Sequence, residues 1–173
     1  HAVANMAAAL ESAGYKRLDE TAAWQIEDQG RYFLTRNQSS LIAFQIDAAS
    51  LLEQGIRMMG AHTDSPCLKV KPAPEMESHG YMQLGVEVYG GALLNPWFDR
   101  DLSLAGRVNF LDSCKQSRSC LVNFLRPLAV IPSLAIHLDR EVNQKRSINV
   151  QTDLPPLLQL SGKDSRQDFN DIL

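Results

Sequence analysis

The sequence predicts an α/β fold whose second part is rich in β-strand, and three observations predict it. Inside HAVANMAAALESAGY, Val3, Met6, Ala7 and Leu10 recur at i, i+3, i+4 and i+7, the single apolar stripe of a helix. Over residues 81–89, Met82, Leu84, Val86 and Val88 alternate with Tyr81, Gln83, Glu87 and Tyr89, the period-two signature of a half-buried strand. Between them the texture changes at Pro72. KPAPEMESHG, with two prolines and several charges, reads as a crossing from one unit, residues 1–72, into a second, residues 73–173.

In chain order, the first helix should stop at Gly14, which can take a left-handed cap. Residues 15–30 are mixed, with Trp24 as an expected core anchor. GRYFLTRNQSSLIAFQI reads as two strands around a polar turn at Asn37 to Ser40. GIRMMGAH is a short apolar run bounded by glycine, the pattern of a strand covered on both faces. Together these elements predict a mixed sheet with a helix. After the strand at 81–89, Gly90 and Gly91 break the pattern. SLAGRVNFL, SRSCLVNFL and LAVIP supply three more short β segments with polar turns between. The tail SGKDSRQDFNDIL is polar and offers no finished core element.

Hydrophobic residues make up 45% and charged residues 21% of 173, the balance of a soluble globular protein. A net charge of −3 argues against nucleic acid as a partner, which would need a basic face. No run approaches about 18 apolar residues, so no membrane-spanning helix is expected. No basic region followed by an apolar one marks a signal peptide. Cys67, Cys114 and Cys120 are odd in number and form no CxxC pair, which fits a reduced, cytoplasmic protein with incidental thiols. A start at His1 rather than Met reads as part of a longer chain.

The chemistry centres on GAHTDSPCLKVKP. His62 falls just past the expected strand end, where open α/β sheets gather reactive groups. One imidazole nitrogen there can bind a divalent metal while the other needs an acceptor to fix the tautomer. Asp64, two residues on, can supply that acceptor, and Pro66 holds Ser65 extended. The same HxD is also compatible with a hydrogen-bonded loop histidine and an Asx-turn. A metal site needs three or more protein ligands, and the remaining histidines do not complete one: His79 lies in the proline-flanked stretch and His1 is terminal. In WFDRDLSLAG, Asp99, Arg100 and Asp101 are expected to form an ion-pair network that holds a turn, with Trp97 and Phe98 as packing residues.

GAHTDSPCLKVKP, LGVEVYGGALLNPWFDRDLSLAGRV and IPSLAIHLDR, in this order and spacing, resemble the aspartyl aminopeptidase family of zinc metallopeptidases from about residue 1 to about 160. The resemblance implies a cytosolic exopeptidase that removes amino-terminal, often acidic, residues from peptide substrates. It implies two divalent metals per complete site, zinc, with cobalt or manganese as alternatives. It also implies a catalytic α/β domain interrupted by a β-rich dimerisation domain, and a homo-oligomer built from dimers. By the same resemblance, His62 is a metal ligand and Asp64 supports the metal site. His137, in LAIHL, resembles a histidine that reaches from the dimerisation domain into the partner subunit's active site. Its other reading is a partly buried position on an alternating β segment.

The family's bridging aspartate, its glutamate general base, its remaining carboxylate and its last histidine match no motif in these 173 residues. The chain alone is therefore expected to bind metal weakly and to catalyse nothing, as the amino-terminal portion of an enzyme. Two other readings stay open: a non-catalytic assembly module pairing through open β edges, and a dinuclear aminopeptidase of different specificity.

Overall fold

A computed structural model of the chain describes residues 2–47, 51, 53, 55–161 and 169–173. Two compact units divide between Ser65 and Pro66. The architecture is mixed α/β, with strands predominating.

In the first unit, helix α1 (Ala2–Ser12) buries Val3 and packs on the strands that follow. Its end is a Schellman motif. Tyr15 N–H donates to Leu10 O at 2.9 Å and Gly14 N–H to Glu11 O at 3.0 Å, with Gly14 at φ 81°. Strand β1 (Lys16–Arg17) runs parallel to β2 (Arg31–Arg36), which pairs antiparallel with β3 (Ser40–Gln45). The turn between β2 and β3 closes through Ser39 N–H to Arg36 O, with Asn37 and Gln38 at φ 52° and 54°, the primed geometry that suits a twisted hairpin. Tyr32 and Phe33 are adjacent on β2, so they point to opposite faces, and both are buried. The central strand is thus covered on both sides. Trp24 belongs to one of these covers but is no core anchor. It remains 43% exposed, lies against Phe44 at 6.2 Å, and donates its indole N–H to Asp19 O. An indole needs a hydrogen-bond acceptor, and the nearby backbone supplies one at the rim.

The expected strand in GIRMMGAH is absent. Residues 55–66 are irregular, and Ile56, Met58 and Met59 are 75%, 88% and 102% exposed. A strand with two apolar faces needs a paired neighbour on its edges and cover on each face. No described strand pairs with this run.

The second unit is organised on β4 (Cys67–Ser78), β5 (Tyr81–Tyr89) and β8 (Leu157–Leu160), antiparallel with β5 in the middle. Leu84 and Val86 are buried from β5, with Met82 and Val88 packed beside them, as the alternation predicts. Leu154 and Phe169 complete this core. KPAPEMESHG, expected to be a crossing, instead belongs to β4 and the tight turn after it. Pairing lapses between Val70 and Glu75, and Pro72 and Pro74 sit in that lapse, where no ladder N–H is required. Gly85 lies opposite. A Cβ there would meet Pro74 O at 3.3 Å and Met76 Sδ at 3.4 Å. His79 occupies the turn at φ 52°, with its Nδ1 2.7 Å from Ser78 Oγ.

Strands β6 (Ala105–Leu111) and β7 (Ser117–Asn123) form a two-stranded ribbon, as expected. LAVIP does not make a full strand. It contributes only the bridges Leu102–Ala129 and Val130–Leu157, because Pro132 ends the pairing after two residues. The polar tail does supply a core residue: α2 (Phe169–Ile172) buries Phe169, whose N–H donates to Glu75 Oε1 at 2.7 Å. Most of the tail, residues 162–168, lies outside the described residues. All three cysteines are free thiols.

Candidate active site

The segment carrying His62 is irregular, and it is tethered by its own side chains. Thr63 Oγ1 donates to Ser39 O at 2.7 Å, fixing the segment to the β2–β3 turn. His62 Nδ1 lies 2.9 Å from Asp64 O and 3.3 Å from Asp64 Oδ1. Both of those oxygens are acceptors, so Nδ1 carries a hydrogen and donates it. In the neutral ring Nε2 is then left with its lone pair outward. The imidazole is 80% exposed. Asp64 thus faces the histidine through its backbone as well as its carboxylate, an arrangement that orients a metal-binding ring.

One donor does not make a metal centre. Among the described residues no group of three His, Cys, Asp or Glu side chains converges. His62 fits the role of a single ligand by tautomer and access, and no reaction step can be routed through a metal on these residues alone.

His137 is in the second unit and is not on an alternating β segment. It lies in an exposed turn in which Leu138 N–H and Asp139 N–H both donate to Ala135 O, at 2.8 and 3.2 Å. Pro132 stops the preceding bridge, so the segment curls rather than extends. Leu134, Ile136 and Leu138 around it are all exposed.

The WFDRD stretch holds together differently from the expected network. Among the described residues no ion pair joins Asp99, Arg100 and Asp101; Arg100 instead donates to Pro96 O at 3.3 Å. Asp99 accepts the Ser133 N–H at 2.8 Å, and its own N–H donates to Ile131 O at 2.9 Å. Hydrogen bonds from Ser133 hold the Asp99 carboxyl below the usual carboxylate range, with the charge of Arg146 adding to them. Arg146 was not singled out by any sequence pattern. Its guanidinium lies 3.9 Å over the Phe98 ring and donates to Asn95 Oδ1 and Ser133 Oγ at 2.8 and 3.1 Å. Beside this cluster is a cleft of about 270 Å³ that Asp139, Asp153 and Arg146 help to line. The partners stand 13 and 51 positions from Arg146, beyond any local spacing rule.

The sequence model described as "Aminopeptidase I zinc metalloprotease (M18)" matches residues 1–171. A curated relative from Pseudomonas fluorescens, "Probable M18 family aminopeptidase 2", is 59% identical over all 173 residues, which are 40% of its length. The chain thus spans about two fifths of the curated relatives it matches. Among solved structures, a chain of the Ape4 and Nbr1 complex superposes with a TM-score of 0.77 at 41% identity, covering 97% of this chain and 32% of that one. The S. cerevisiae mApe1 dodecamer gives 0.62 at 28% identity, covering 91% of this chain and 42% of that one.

Proposed function

Because the chain belongs to the M18 aminopeptidase family, we propose that the whole protein is a metal-dependent aminopeptidase and that His62 is one of its metal ligands. The observation that carries the reading is the oriented ring: Nδ1 is committed to Asp64, and the imidazole as a whole is exposed. A divalent ion, zinc by the family's description, supplies electrophilic polarisation of the peptide carbonyl when bound. Asp64 contributes by fixing the tautomer that leaves Nε2 free to bind. Among the described residues no group of three metal-binding side chains gathers at His62, so these 173 residues alone should bind metal weakly and show no turnover.

The first unit belongs in this reading to the catalytic α/β domain and the second to a dimerisation domain, with the boundary at Pro66 rather than Pro72 because β4 continues through Pro72. His137 serves the neighbouring subunit's active site. Its exposed turn, flanked by exposed Leu134, Ile136 and Leu138, supports that role, since clustered exposed apolar side chains mark contact surfaces. A homo-oligomer built from dimers follows, in keeping with the dodecamer of the yeast relative. Peptides with acidic amino-terminal residues are the proposed substrates, and the cytoplasm the proposed compartment.

In the full-length enzyme, His62→Ala should abolish most activity and remove one metal equivalent. Normal turnover at full metal content would reject the ligand role. Mixing His62→Ala with His137→Ala subunits tests the shared site. Hybrid dimers should regain some activity, and no recovery would count against sharing.

A further inference from the structure

We infer that Arg146 and Asp99 are positioning residues that clasp the base of the loop 134–145 and so fix where His137 stands. This rests on the role proposed for His137.

Within the second unit, the loop departs at Ser133 and returns at Arg146. Arg146 joins those two ends directly, through its hydrogen bond to Ser133 Oγ at 3.1 Å. The same guanidinium reaches Asn95 Oδ1 at 2.8 Å and stacks 3.9 Å over Phe98. Asp99 holds the departing strand from the other side, taking the Ser133 N–H at 2.8 Å and giving its own N–H to Ile131 O at 2.9 Å. Ile131 is buried, so the anchor is part of the core. Asp99 stands at φ 55°, a left-handed conformation that aspartate tolerates better than most residues.

Between the ends the loop has only local order. One turn gathers the Leu138 and Asp139 N–H groups on Ala135 O, and a second gathers those of Gln144 and Lys145 on Glu141 O. Leu134, Ile136 and Leu138 are exposed, so these side chains build no core for the loop. Closing such a segment costs chain entropy, which contacts at its base must offset. An arginine suits that place because its planar fork can donate to two acceptors while its face lies on a ring; a lysine cannot do both. The motif WFDRD then acts on the reaction indirectly, by seating the histidine loop.

The test uses the full-length enzyme carrying Arg146→Ala, Arg146→Lys, His137→Ala and the double variant Arg146→Ala/His137→Ala. Arg146→Ala should lower kcat on the order of 10-fold with little change in KM, and lysine should not restore it. Combined with His137→Ala it should add nothing, because the clasp acts through that ring. Amide hydrogen exchange over 134–145 should quicken on the order of 10-fold in both Arg146 variants. Losses that multiply in the double variant, or unchanged exchange over the loop, would overturn the clasp. Full activity of His137→Ala would instead overturn the cross-subunit role, and loop exchange would then judge the clasp by itself.

Discussion

The sheet β4–β5–β8 and the run Gly55–Ser65 are both rich in apolar side chains, yet the first buries them and the second does not. On β5, Leu84 and Val86 are sealed by strands on either side and by Leu154 and Phe169 from outside the sheet. In the run, Ile56, Met58 and Met59 face solvent almost entirely. Apolar sequence is thus a demand for neighbours, and whether it becomes a strand depends on who is there to pair. The candidate ligand His62 lies in the unpaired region, where its own ring bonds to Asp64 and the Thr63 hydroxyl bonds to the β2–β3 turn.

The largest effect should come from the unpaired region once the whole enzyme is present. His62→Ala should cut kcat/KM by more than about 100-fold, beyond the cost typical of losing a residue that merely supports a ligand. Activity within a few-fold of normal would show that the run is ordinary surface. Stability should show the reverse order. In urea unfolding of the 173-residue chain, Leu84→Ala should cost roughly 2–4 kcal/mol, whereas Met59→Ala should stay within about 0.5 kcal/mol. Equal costs would mean that Met59 is packed after all. A smaller loss, about 1 kcal/mol, is expected for Gly14→Ala, because alanine resists the left-handed φ of the helix cap.

The smallest effect is the dependence on pH. The folded pKa of Asp99 is lowered by its bonds from Ser133. Its contribution is therefore complete above the unfolded value of about 3.9 and disappears as pH falls through the lower folded value. An acid titration followed by near-ultraviolet circular dichroism should show a step below about pH 4 that Asp99→Asn diminishes. An identical step in both proteins would remove Asp99 from the account.

Local pattern made much of this fold legible. The helix α1, the glycine cap, the β2–β3 turn and the alternation on β5 all depend on residues within a few positions of one another, and all appear as expected, though of the α1 stripe only Val3 is buried and Met6 is exposed. The failures share a cause. Pro72 and Pro74 looked like linker because the lapse in pairing that admits them is a property of two strands, visible only with β5 alongside. GIRMMGAH looked like strand because its composition says nothing about available partners. The pairing of His62 with Asp64 was readable at two residues' separation. The clasp of Arg146 with Asn95 was not, at 51.

The most direct measurement is a crystal structure of the full-length protein grown with zinc, with anomalous data collected at the metal edge. The account predicts an ion about 2.0–2.1 Å from His62 Nε2, with Nδ1 still facing Asp64. A well-ordered zinc site elsewhere, with the His62 ring turned away and no anomalous peak within bonding distance of it, would contradict it.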